Sequence, residues 1–200
     1  MIPAQFVLLG LALNLFGIST YIRDVLKGKT KPNKVTWFLW ALAPLIAFVV
    51  QREAGIGWVN VLTFSVGFAP LLVFIFSFVN KQSYWKVSVF DIICGVLSIV
   101  ALVFWLVTSN AIISVLLLIT ADLAAGIPTL VKAYRYPETE SYRAFLCGIG
   151  NSLIALLTLN TYSFLHLGFP VYILIMDTTF FLLMFPKTNH FFRVFKMSTK

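Results

Sequence analysis

Two aspartates, Asp122 and Asp177, and two asparagines, Asn14 and Asn151, stand inside long apolar runs of a 200-residue chain. An ionisable group at bilayer depth costs about 2.5–3.5 kcal/mol on insertion scales, so it normally faces a cavity or a partner and is a functional candidate by default. Counted along its own apolar run, each of the four falls near the middle, so together they define one polar layer. Amide and carboxylate groups in such a layer can bind the hydroxyl or amine groups of a small polar solute. They can also simply hold helices together by hydrogen bonds across the bundle, worth less than about 1 kcal/mol per pair. Because burial disfavours the charged form of a carboxyl, proton coupling through Asp122 or Asp177 belongs to the functional expectation. Trp37 and Trp40 open the second apolar run. Anchoring at a membrane interface is their ordinary role; stacking of the deeper Trp40 on a solute ring is the sharper one.

The elements that would position these groups follow from composition. Sixty per cent hydrophobic residues and a mean hydropathy of +0.94 exceed what a soluble core needs and predict an integral membrane protein. A helix crosses the hydrocarbon with about 20 apolar residues, and seven runs qualify: 3–21, 35–50, 55–79, 87–108, 111–131, 144–160 and 165–185. The first has no basic leader or cleavage pattern and is expected to be a span rather than a signal. Ser109-Asn110 leaves room for little more than a hairpin, so the fourth and fifth runs should be antiparallel neighbours. Cys94 and Cys147 lie far apart inside apolar runs and are expected to pack or face lipid, not to bind metal.

Charge predicts orientation. Of fifteen basic residues, Arg52 alone falls between runs two and three; the others follow runs one, three, five and seven. The positive-inside rule then sets the amino terminus outside and the carboxy terminus in the cytoplasm. The net charge of +8 is thereby accounted for by topology, with anionic lipid headgroups rather than nucleic acid as partners of the loops. Asp91 is expected to reach the interface beside Lys86 as an anchor, and Trp58, Trp85 and Trp105 fit an aromatic belt. The tail 187–200 reads as an amphipathic interfacial stretch or a frayed basic end.

A repeat is visible at an offset of 108 residues, where Asn14 meets Asp122, the stretch 17–20 meets 125–128, Lys27 meets Arg135, and 45–47 (LIA) meets 153–155 (LIA). Three runs, one connecting run and three runs again put the halves in the same orientation, a parallel-repeat arrangement known among secondary transporters. The run IPTLVKAYRYPETES resembles the PQ-loop motif of the SWEET-like seven-transmembrane superfamily, with Thr129 where the family carries Gln. GKTKPNKVTWFLW from Gly28 is similar to the loop and second-helix entry of such a unit, although the first copy has Thr20-Tyr21 and no proline. The resemblance implies an all-α membrane protein in a 3+1+3 arrangement. Residues 1–80 would form one bundle, 81–110 a linker helix, and 111–200 a second bundle with a basic tail.

The expected function is a small-solute carrier for a sugar, amino acid or similar polar metabolite. It would work by alternating access between the two bundles, with Asn14, Asp122, Asn151, Asp177 and Trp40 binding the solute and Pro128, Gly126 and Pro44 as bending points. Pro70 is a further bend within run three. The alternative is a ligand-binding receptor or interaction subunit on the same scaffold. An enzyme is not expected: neither aspartate lies in a Gly-x-Gly-Asp setting, His166 and His190 cannot make a multi-histidine zinc site, and no lysine stands within run seven for a retinal. No cofactor is expected. The setting is a multi-pass protein of the bacterial inner (plasma) membrane, with homo-oligomers open to it.

Overall fold

The computed structural model describes residues 3–53, 59–159 and 161–185, and among them the chain forms seven α-helices and no strand. They are α1 (Val7–Leu26), α2 (Lys34–Glu53), α3 (Val59–Phe76), α4 (Val89–Val107), α5 (Ala111–Arg135), α6 (Tyr142–Thr158) and α7 (Phe164–Met184). Of these, α1, α4, α5 and α7 are long and apolar enough to cross a membrane, whereas α2, α3 and α6 carry shorter apolar stretches. The tail 187–200, Trp58, Asn160 and His190 lie outside the described residues, as does the side chain of Arg52.

Apolar length and helix length differ at two places. α1 runs past Tyr21 to Leu26, and α5 past Val131 to Arg135. Polar residues with good helix propensity, such as Arg23, Lys132 and Arg135, continue a helix until a stop signal intervenes. For α1 that signal is Gly28 at φ 72°. Its amide bonds to the carbonyl of Val25 at 3.0 Å and the Lys29 amide bonds to Asp24 at 2.9 Å, the double reverse bond that closes helices through a left-handed glycine. At the start of α2, Asn33 Oδ1 accepts from the amides of Val35 and Thr36. α4 begins with a capping box between Ser88 and Asp91. The turn between α4 and α5 spans residues 108–110, with Asn110 accepting the amides of Ile112 and Ile113, and the two helices pack side by side.

The helices pack in a defined set of pairs. α1 packs on α3 and α6; α2 on α3, α4 and α5; α5 on α4 and α7; and α6 on α7. Hydrogen bonds gather the loops after α1, α3 and α5 at one end of the bundle. The Lys31 amide donates to Thr139 O at 2.9 Å, Asn80 Nδ2 to Leu26 O at 2.9 Å, Asn33 Nδ2 to Asp91 Oδ1 at 2.9 Å, and Ser141 Oγ to Asp24 Oδ2 at 3.0 Å. Every basic side chain described from Arg23 to Arg143 therefore belongs to this end.

Burial is concentrated at the same end. Tyr21 and Val25 of α1, Trp37 of α2, Val73 of α3, Ala133 of α5, Phe145 of α6 and Phe180 of α7 all join one core. In the other half, residues 111–120 of α5 and 164–175 of α7 contain no buried residue. α4 turns an exposed row, including Val89, Ile93, Val96, Val100 and Val107, away from the bundle. Water would not tolerate so continuous an apolar face on a monomeric chain.

Candidate functional site

α5 carries Asp122 at the boundary where the buried segment 121–133 begins. Its carboxylate Oδ2 accepts the phenol of Tyr172, on α7, at 2.8 Å. Its backbone carbonyl accepts the indole N–H of Trp40, on α2, at 3.3 Å. Three helices thus meet around one acid, and the second Asp122 carboxylate oxygen is not engaged by a described residue. Asp177, five residues beyond Tyr172 on α7, lies within electrostatic reach of both Asp122 and Tyr172. It rests directly on Gly148 of α6, where a Cβ would collide with Oδ2 and stand 2.8 Å from Cγ. That glycine is what lets a carboxylate sit flush against the neighbouring helix.

The asparagines are placed differently. Asn151 packs its amide on Gly10, in the α1–α6 interface. Asn14 is half-buried on α1, and its side chain hydrogen-bonds no described residue. The expected layer is therefore divided: Asp122 and Trp40 are brought together where α2, α5 and α7 meet, Asp177 lies between α7 and α6, and Asn151 lies with α1. Gly126 faces Trp40 and Met176, each 3.2 Å from where a Cβ would stand, so it makes room for the indole. Pro44 and Pro128 lie inside continuous helices, as do Pro70 and Pro170.

Towards the basic end, the contacts beneath Asp122 are tight. Thr36 Oγ1, on α2, donates to Ala125 O at 2.7 Å and accepts from Thr129 Oγ1 at 2.9 Å; both threonines are fully buried. Trp37 is 3 % exposed, stacked obliquely on Tyr21 at 4.7 Å and edge-on to Trp40 at 5.3 Å. It is a core residue and not an interfacial anchor, because α1 covers the face that would have met lipid. Lys132 Nζ pairs with Glu140 Oε1 at 2.7 Å and also donates to Lys31 O, while Tyr21 donates to Glu140 Oε2 at 2.5 Å. The ion pair is almost wholly buried, 1 % and 0 % exposed at the side chains. Trp85 caps it, its ring 4.6 Å from the ammonium.

In the sequence Lys132 reads as a basic helix exit past the apolar run, and Glu140 and Tyr172 do not stand out. Glu140 had no signal, since a glutamate in a polar turn is the commonest of residues. Tyr172 had one: a phenol deep in an apolar run needs a hydrogen-bond partner. Asp91 also departs from expectation. It is 4 % exposed and receives Asn33, the Ser88 amide and the Ser88 hydroxyl, so it ties α4 to α2 and does not pair with Lys86.

No protein-family model, curated protein or solved structure matches the chain.

Proposed function

We propose that the protein is a seven-span, alternating-access carrier of a small polar solute, a sugar, amino acid or similar metabolite, built from two parallel three-helix units joined by α4. In this reading it is a distant member of the PQ-loop and SWEET-like superfamily. The basic end faces the cytoplasm of a bacterial cell, by the positive-inside rule.

The observation that carries the proposal is the position of Asp122. It lies directly above a tightly packed end, made by Thr36–Thr129, Trp37–Tyr21 and the Lys132–Glu140 pair, and directly below the segments 111–120 of α5 and 164–175 of α7, which hold no buried residue. A solute entering the loose half would meet Trp40, Tyr172 and the two carboxylates at the floor. Alternating access requires such a floor, and it requires the floor to be breakable. Hydrogen bonds and one ion pair between α1, α2, α5 and the loops are of that kind.

The repeat is supported by the packing pairs. Under the 108-residue offset α1, α2 and α3 correspond to α5, α6 and α7. The pairs α1–α3 and α2–α3 then map onto α5–α7 and α6–α7, and α1–α6 maps onto α5–α2. Single residues follow the same exchange. Gly17 lies against the Ala144 backbone, at 3.2 Å from a Cβ placed on the glycine, and Ala125 accepts from Thr36. Both pairs correspond under the offset (125 − 17 and 144 − 36 are each 108).

The deciding experiment is uptake of candidate sugars, amino acids and other polar metabolites into proteoliposomes. Saturable uptake that is abolished by Asp122→Asn supports the carrier. A folded, reconstituted protein that binds a solute without moving it would be a receptor on the same scaffold, and one that does neither overturns the proposal.

A further inference from the structure

Between the start of α4 and the end of α5 lies a cavity of about 370 Å³ whose lining includes Trp85, Lys86, Phe90, Pro128, Arg135 and Tyr136. Its charges are unequal in their commitments. Asp91, the acid in the wall, already accepts three hydrogen bonds from Asn33 and Ser88. Lys132, also in the wall, is held by Glu140 and the Lys31 carbonyl. Lys86 and Arg135 are exposed and have no ion-pair partner among the described residues. Two free cations thus flank a cavity whose own acid and third cation are both engaged.

Apart from Ser88, whose hydroxyl donates to Asp91, the rest of the wall is apolar or aromatic. Trp85 and Tyr136 meet edge-on with centroids 5.7 Å apart, and Phe90 is 46 % exposed at the cavity edge. From there the exposed row of α4 continues through Ile93 and Val96 away from the basic end. A ligand suited to this surface has a compact anionic head and a long apolar body. Arg supplies a fork that matches phosphate oxygens, Lys a point charge, and the indole and phenol suit the level at which lipid headgroups meet hydrocarbon.

We propose that this cavity binds the phosphate headgroup of an anionic phospholipid, with an acyl chain lying along α4. Basic pockets between helices on the cytoplasmic side are the usual form of such sites. The proposal rests on placing the helices in a membrane and is independent of transport, so failure of uptake leaves it standing.

The test is native mass spectrometry of the protein released from mixed phosphatidylglycerol and phosphatidylcholine, with retained lipid counted. Selective retention of phosphatidylglycerol is expected. Lys86→Ala with Arg135→Ala should lower it about thirtyfold, since each cation near the surface contributes roughly fivefold. Arg135→Lys should fall between. Lys27→Ala with Lys29→Ala, the same charge loss at the same end but at residues that do not line the cavity, should leave retention close to that of the parent protein. Because Lys86 and Arg135 are exposed, their loss leaves the fold intact, and circular dichroism checks this. Equal losses for the two double variants, or equal retention of both lipids, would overturn the site. Full displacement of the lipid by millimolar inorganic phosphate would assign it to free phosphate instead, and binding of an acidic peptide with no lipid selectivity would assign it to a protein partner.

Discussion

The amide of Lys31 donates to the carbonyl of Thr139 across 2.9 Å, joining the loop after α1 to the loop after α5. Under the offset of 108 residues these are the same position in the two halves (139 − 31 is 108). A residue that meets its own counterpart must sit on the axis relating the copies. In the repeat we propose, the axis would therefore pass through the basic end, beside the Lys132–Glu140 pair.

That pair is buried on both sides, so breaking it on one side leaves an uncompensated charge. Lys132→Met is expected to destabilise the fold by about 3–5 kcal/mol. Lys132→Met with Glu140→Gln should recover most of the loss, because the amide can still accept from Tyr21. Thermal unfolding in detergent of the two single variants and the double variant gives the coupling, and strictly additive losses would refute it.

Tyr172 and Asp122 separate binding from folding. Asparagine at position 122 keeps an oxygen that can accept the Tyr172 phenol, so Asp122→Asn should shift stability by less than about 1 kcal/mol. It should nevertheless cut uptake by at least about tenfold if the carboxylate contacts solute, a loss of one charged hydrogen bond. Tyr172→Phe should leave Asp122 without its phenol donor and lower uptake more mildly. Parallel melting curves and uptake rates make the comparison.

Two glycines predict a graded response. At Gly148 an added Cβ collides with the Asp177 carboxylate, whereas at Gly126 it meets Trp40 and Met176 at 3.2 Å. Gly148→Ala should cost about 1–3 kcal/mol by overpacking, and Asp177→Ala in the same chain should relieve it. Gly126→Ala meets the flexible end of Met176 and should cost less. Unfolding temperatures that rank the two the other way would contradict the packing described.

Thr36→Val retains shape and removes the hydroxyl that bridges Ala125 O and Thr129. With Thr129 left unpaired in the core, a loss of about 1–3 kcal/mol is expected. Thr36→Val combined with Thr129→Val should be less damaging than the sum of the single changes. If the floor beneath Asp122 opens during transport, the double variant should also change uptake rate, read in the same proteoliposomes.

Asp122 was legible as a candidate from the sequence because an acid in an apolar run is rare for energetic reasons that hold in any fold. The turn at Ser109-Asn110 was legible because its length permits little else. The ends of α1 and α5 were not, since hydropathy falls before the helix does: Arg23, Lys132 and Arg135 lie past the apolar runs and are helical. Trp37 and Asp91 were misread in the same manner. An indole or a carboxylate near a helix end suits the interface when nothing covers it, and here Tyr21 covers one and Asn33 the other.

By itself, the sequence determined what depends on residue type along the chain: the number and rough extent of the helices, the clustering of basic residues, and the rarity value of Asp122 and Asp177. Tertiary structure alone decided which charges are partners. Lys132 and Glu140 are close in sequence, but their burial comes from Tyr21, Trp85 and the Lys31 carbonyl, contributed by three other segments. The Trp40–Asp122–Tyr172 junction likewise joins residues from α2, α5 and α7. Hydropathy sums over neighbours in the chain, while hydrogen bonds and desolvation act between neighbours in space, and only packing relates the two.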